Sequence, residues 1–161
     1  MMDQGKGLEQ ARRLMDQYWA ATLALRQRAG SEEVHGYRIA TRRLLALLAL
    51  WRPLIHEPGL ERRLMRAVGR LSALRDAQVY AAHFGGKPLP EAAPRVPMLT
   101  VLLARWLDRL LLVPADFNPL PLFQMHLALG LADCLAEPGL GHSAGNRLRL
   151  RHWHRLRLVL K

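Results

Sequence analysis

The chain has little of what would tie it to a disulfide, a metal or a membrane. Its 161 residues include a single cysteine, Cys134, which excludes a disulfide framework and a metal site built on paired cysteines. The longest apolar run, Leu44–Trp51, is far shorter than the roughly 20 residues that cross a bilayer. The first residues, Met1–Gly7, lack the apolar core of a signal peptide. We therefore expect a soluble, single-domain protein of the cytoplasm, with no membrane partner.

Acidic residues are also scarce. The chain has 13 of them against 24 lysines and arginines, which gives a formal charge of +11 and a pI near 11.3. Only Lys6, Lys87 and Lys161 are lysines, so 21 of the basic residues are arginines. Such a chain repels itself unless an anion is nearby, and the planar guanidinium holds phosphate oxygens two at a time. A GC-rich genome would also favour arginine codons, so the placement of the arginines has to decide.

Apolar residues recur at helical spacing almost throughout, and no segment alternates like a half-buried strand. The pattern predicts an all-α bundle of about six helices. The proline-rich connector 87–97 separates a first half, about 7–86, from a second half, about 97–161. Ser31 is the predicted N-cap of the second helix. The predicted helices are about Gly7–Ala29, Ser31–Trp51, Pro58–Phe84, Pro97–Val113, Pro121–Ala136 and Asn146 to the end.

A basic stripe follows one face of the second helix. His35, Arg38 and Arg42 are spaced i, i+3 and i+7, so they share a face and could meet successive phosphates of a chain, with Arg43 beside them. A charged stripe on one helix is more often only a solvated surface. The spacing returns, however, at His154, Arg157 and Lys161. A solvated surface has no reason to repeat its spacing, so the repetition favours a shared ligand.

Two segments of the first half resemble a known family. Val34–Leu44 (VHGYRIATRRL) and Leu71–Val79 (LSALRDAQV) are similar to the opening half of a CHAD domain, the helical domain named for its histidines. The resemblance covers about residues 10–84, and in the second half only the segment His154–Lys161. It implies two pseudo-symmetric helical halves around a basic groove and the binding of inorganic polyphosphate. It also implies association with polyphosphate granules or with a triphosphate-processing enzyme.

CHAD domains usually continue well beyond the second histidine helix, whereas this chain stops inside it. Three explanations stay open: an unusually short family member, a truncated chain, or a second subunit that supplies the missing surface. An apolar face left exposed by the shortfall would favour a homodimer.

The third helix adds a second basic stripe, Arg62, Arg66 and Arg70, which resembles the cavity lining expected of the family. Arg75 falls instead on the apolar side of that helix, where a guanidinium needs a partner. It is either paired with an acid such as Asp108 or Asp133, or in contact with phosphate. Asp76 is interpreted as a structural partner and not as a catalytic acid.

No catalytic set is assembled in the sequence. It has no carboxylate cluster for a metal, no glycine-rich loop ahead of a helix and no activated nucleophile, so we expect neither an enzyme nor a cofactor. Nucleic-acid binding, or general polyanion binding, is the alternative, because any dense basic patch attracts DNA and RNA. The tryptophans lie at apolar helical positions, which predicts core residues and not stacking surfaces.

The predicted polyphosphate-binding residues share a basic side chain or a histidine ring and a place on these stripes. They are His35, Arg38, Arg42, Arg43, Arg62, Arg66, Arg70, Arg75, His154, Arg157 and Lys161.

Overall fold

The computed structural model describes residues 6–85 and 95–136, with side chains from 7 to 85 and from 95 to 133. This part of the chain is all-helical, which confirms the predicted class. Its helices are α1 (Lys6–Gln27), α2 (Ser31–Trp51), α3 (Pro58–Phe84), α4 (Thr100–Leu111) and α5 (Pro119–Ala136). The predicted sixth helix and most of the proline-rich connector lie outside the described residues. The two pseudo-symmetric halves therefore stay a prediction.

The bounds of α2 and α3 agree with the predicted ones, and a proline and a glycine set the two ends of α3. Pro58 takes the first helical position of α3, where its missing N–H costs nothing. Gly85 ends that helix in the left-handed conformation, at φ 68°, and its N–H donates to the carbonyl of Ala81 over 3.1 Å. The predicted N-cap of α2 is wrong: Gly30 occupies the cap position, and Ser31 is already helical.

Helix α2 is the central element, since it packs against α1, α3 and α5, while α4 packs against α1. Its buried face carries Tyr37, Leu44 and Leu48. Trp51 and Trp106 are buried in the core, as predicted, and Trp19 is packed against it. The core thus lies between α2 and its neighbours, which leaves the arginines of α2 and α3 near the surface.

Two buried tyrosines join α1 to α2. The rings of Tyr18 and Tyr37 lie 5.6 Å apart, and their hydroxyl oxygens are separated by 3.4 Å. The Tyr18 hydroxyl also donates to the carbonyl of Pro97 over 2.6 Å. Burial raises the pKa of both phenols above their ordinary value, because a phenolate would lose its hydration there.

The segment that leads into α4 is attached to α1 by side chains. Trp19 Nε1 donates to the carbonyl of Met98 over 3.2 Å, and Arg26 donates from Nε and Nη2 to the carbonyl of Val96 over 3.1 and 2.6 Å. Leu99 follows with a φ of 55°, which is strained for a residue with a side chain. Its side chain is buried, so tertiary packing holds the strained turn that starts α4.

Acids near the start of α3 form the two salt bridges of the described residues. Arg52 makes a two-pronged contact with the buried carboxylate of Glu61, at 3.1 and 2.7 Å. Arg109 of α4 approaches Glu57 to 2.8 Å. These acids therefore join the α2–α3 turn to α3 and to α4.

Helix α5 is the most apolar of the helices, yet much of it faces outward. Leu120, Met125, Leu129 and Leu131 are each about half exposed in the described structure. Within residues 6–85 and 95–136, no helix has both the length and the apolar character that a bilayer span requires.

Replacing Tyr18 with phenylalanine should lower the free energy of unfolding by about 1 kcal/mol, because the carbonyl of Pro97 loses its donor while the ring remains. Urea unfolding followed by circular dichroism measures the change. Tyr80→Phe is the matched control, since its side chain is 63% exposed and should change stability by less than about 0.5 kcal/mol. Equal effects of the two variants would contradict the assigned role of Tyr18.

Stability should also fall above about pH 10. In the unfolded chain the tyrosines ionise near that pH, whereas burial raises their native pKa, so the unfolded state gains relative to the native one as pH rises. For each buried tyrosine the slope approaches about 1.4 kcal/mol per pH unit once the pH exceeds the unfolded pKa of about 10. Urea unfolding between pH 9 and pH 11 measures it, and Tyr37→Phe should reduce the steepness. An unchanged slope in that variant would contradict the prediction.

Candidate polyanion-binding site

Residues from α2 and α3 form an arginine cluster, which consists of Arg38, Arg42, Arg75 and Asp76. Arg38 and Arg42 are one turn apart on α2, and Arg75 and Asp76 lie on α3 close enough to act on the charge of Arg38. Arg38 is half-buried, and its Nε atom is buried with no hydrogen-bond partner among the described residues. A buried N–H donor without an acceptor is costly, so this atom favours an acceptor from outside the protein.

The surroundings of Arg38 mostly disfavour its positive charge. Burial is the largest cause that lowers the pKa of Arg38, and repulsion from Arg42 and Arg75 adds to it. Only Asp76 opposes them. Three cations beside one carboxylate leave excess positive charge around a partly dehydrated guanidinium. An anion that entered the arginine cluster would therefore relieve repulsion as well as accept hydrogen bonds.

Arg75 has a neutral partner. The predicted alternative of an ion pair with Asp108 or Asp133 is wrong: Arg75 is half-buried, and its Nη1 donates to the hydroxyl of Ser31 at the start of α2. One turn further along α3, Gln78 Nε2 donates to the carbonyl of Ala29 over 3.2 Å. These bonds attach α3 to the start of α2 and hold Arg75 beside Arg38 without neutralising it.

Asp76 is exposed and makes no salt bridge within the part of the chain that the structure describes. It acts on Arg38 through its charge alone. Groups of three or more histidine, cysteine, aspartate or glutamate side chains that could hold a metal are absent from the described residues.

The other predicted residues of α2 lie on two surfaces. His35 is exposed one turn before Arg38, on the same face of the helix. Arg43 lies elsewhere, in a groove of about 530 Å³ between α1 and α2 that it shares with Arg13, Gln10 and Gln17. His35 therefore extends the arginine cluster, and Arg43 does not.

The α3 stripe also lies apart from Arg75. Nine residues separate Arg66 from Arg75, which places them on opposite sides of the helix. Arg62 lines a cavity of about 990 Å³ between α2, α3 and α5, together with Arg52 and His126. The residues predicted to line a single groove thus lie on several separate surfaces. His154, Arg157 and Lys161 lie outside the described residues.

Arg66 and Arg70 belong to a second basic surface, the five-arginine groove. Its volume is about 550 Å³, and its arginines come from α1, from α3 and from the segment before α4: Arg26, Arg63, Arg66, Arg70 and Arg95. Sequence reasoning missed Arg26 and Arg95 as site residues. Nothing local indicates them, since they are 69 positions apart in the chain and meet only because Arg26 holds the carbonyl of Val96.

Replacing Arg42 with glutamine should raise the free energy of unfolding at low ionic strength by about 0.3 kcal/mol, because like charges at i, i+4 repel by that order. Urea unfolding at 10 mM and 500 mM sodium chloride measures the change, which should shrink at the higher salt as screening increases. The control is Arg12→Gln on the exposed surface of α1. A loss of stability in Arg42→Gln beyond that of the control would contradict the repulsion described above.

Comparison with protein-family models matches residues 9–161 to the CHAD domain. Comparisons with curated proteins and with solved structures found no match. The matched region includes both segments that carry the resemblance in the first half, the arginine cluster and the terminal histidine segment. It spans nearly the whole sequence. The chain belongs to the CHAD domain family.

Proposed function

We propose that the protein binds inorganic polyphosphate at the arginine cluster and performs no chemistry on it. The observation that carries this proposal is the convergence of two further guanidinium groups, those of Arg42 and Arg75, on the partly buried Arg38, whose Nε has no partner among the described residues. His35 on the same face extends the site, and His154, Arg157 and Lys161 complete it in this proposal. Membership of the CHAD family supports the choice of ligand.

The chemistry of the arginine cluster suits a bare phosphate chain. Each guanidinium offers a planar fork of N–H donors, and polyphosphate carries oxygen acceptors and negative charge on every unit. The buried Nε of Arg38 gains an acceptor, and the repulsion among Arg38, Arg42 and Arg75 falls when a negative chain lies between them. Binding thus offsets both the cost of the unpaired Nε of Arg38 and the repulsion among the three arginines in the unliganded protein.

Nucleic acid is the second candidate, and one observation favours it. Tyr80 and Phe84 are 63% and 73% exposed near the end of α3, with their rings 4.8 Å apart, which is a surface on which bases could stack. Five and nine residues separate these rings from Arg75, so they lie on the far side of α3 from that arginine, although Tyr80 follows Asp76 by one turn. A ligand without bases therefore fits the arginine cluster better.

The cellular setting follows from the ligand. We propose a cytoplasmic protein that associates with polyphosphate granules or with a triphosphate-processing enzyme. A homodimer that covers the exposed apolar residues of α5 is part of this proposal.

A competition titration tests the ligand. Labelled long-chain polyphosphate is displaced, at about 0.15 M salt to reduce nonspecific attraction, by unlabelled polyphosphate, duplex DNA or single-stranded RNA. We expect polyphosphate to compete better by at least about tenfold, which is 1.4 kcal/mol. Equal competition by RNA, together with its loss in the double variant Tyr80→Ala, Phe84→Ala, would establish the nucleic-acid alternative instead.

The double variant Arg38→Gln, Arg42→Gln tests the site. It should weaken polyphosphate binding by at least about tenfold, since each charge-assisted hydrogen bond contributes about 1.5–3 kcal/mol. The matched control is Arg12→Gln, Arg105→Gln, which removes the same charge from exposed positions of α1 and α4. Far-UV circular dichroism checks that helicity is retained. Equal losses in the two double variants would show a general charge effect and would overturn the site.

A further inference from the structure

The five-arginine groove lies apart from the arginine cluster and has its own anion chemistry. Between its five guanidinium groups the wall is formed by Ala67, Leu71, Val96 and Pro97. Within the described residues, no acidic side chain and no aromatic ring lines it. The described lining therefore leaves its positive charge uncompensated and offers no surface on which a nucleobase could stack.

The groove is also partly preorganised. Arg26 uses Nε and Nη2 to bind the carbonyl of Val96, which fixes its guanidinium at one edge and leaves Nη1 without a hydrogen-bond partner among the described residues. Arg63, Arg66 and Arg70 are exposed on successive turns of α3, above the buried side chains of Ala67 and Leu71. Fixed donors lose less entropy on binding than mobile ones, so this arrangement favours an anion over free solvent.

We propose that the five-arginine groove is a second, independent binding site for a short oligophosphate. Its volume, about 550 Å³, lies in the range of pockets for small ligands, and its forked donors suit the oxygens of successive phosphates. The site goes beyond the function proposed above, because none of Arg38, Arg42 and Arg75 lines it. One molecule then binds phosphate on two faces.

Isothermal titration with tripolyphosphate at about 0.15 M salt tests the second site, at an ionic strength where exposed charges more than about 10 Å apart are largely screened. The wild-type protein should bind two equivalents. The double variant Arg66→Gln, Arg70→Gln should bind one, at the arginine cluster, and Arg38→Gln, Arg42→Gln should bind one, at the five-arginine groove. The variant that combines all four changes should bind none. Arg12→Gln, Arg105→Gln should keep both equivalents, with helicity and urea unfolding as checks on folding.

The outcomes separate this inference from the proposed function. Two equivalents with unchanged affinities in Arg66→Gln, Arg70→Gln would overturn the second site. A single equivalent in the wild type, lost in both double variants, would also overturn it, because the arginines would then serve one shared site. If Arg38→Gln, Arg42→Gln alone keeps both equivalents, the second site stands and the proposed function fails. Displacement of tripolyphosphate from the groove by hexaglutamate at equal concentration would overturn the assignment to phosphate.

Discussion

The attachment of the segment before α4 to helix α1 is the constraint that fixes α4 and one edge of the five-arginine groove. Three side chains of α1 donate to three successive carbonyls, those of Val96, Pro97 and Met98. These carbonyls are about 70 to 80 residues away in sequence from their donors, so the bonds close a long loop whose entropy has to be offset. They hold the strained Leu99 in place, direct α4 against α1, and bring Arg95 beside Arg26. The hydrogen bonds that hold the segment before α4 on α1 thereby also form one edge of the five-arginine groove.

The distribution of the few acids explains why the other arginines of α2 and α3 form no salt bridge within the described residues. Glu57 and Glu61 are both engaged at the start of α3, where they pair with Arg109 and Arg52. The remaining arginines of α2 and α3 are held by neutral groups or by none in the described structure: Arg75 by the Ser31 hydroxyl, and Arg62 by the carbonyl of Pro58. A hydroxyl or carbonyl orients a guanidinium without neutralising it. The protein thus keeps excess positive charge at fixed positions, at a cost to its own stability that an anion can relieve.

Sequence reasoning predicted the helices of the described residues and the family, but not how the basic side chains are arranged in space. The spacing of apolar residues and the residues that begin and end helices predicted α2 and α3, because Pro58 and Gly85 affect the backbone only within about one turn of their own positions. The cap at Ser31 was wrong because its hydroxyl bonds a residue 44 positions away, and no local pattern shows such a partner. The basic stripes of α2 and α3 were identified, but periodicity alone cannot show whether they line one groove. Arg66 and Arg75 lie half a turn apart on α3, and only the packing of α3 on α2 decides which of them lies near Arg38. Arg26 and Arg95 come together only through a tertiary contact, so the sequence alone could not identify them as parts of one surface.

The separation of the two basic surfaces bears on the length of polyphosphate that the proposed sites would favour. Along α3, the nearest arginines of the two surfaces, Arg70 and Arg75, are about 7.5 Å apart in rise and about 140° apart around the axis, so a ligand that contacts both has to pass around the helix. A chain long enough to pass around the helix could occupy both, and its second contact would be intramolecular. Its affinity would then exceed that of either surface alone through effective concentration, with no new contact required. Selectivity for long polymers would arise in that case from the placement of arginines on two sides of one helix, and not from the length of any single groove.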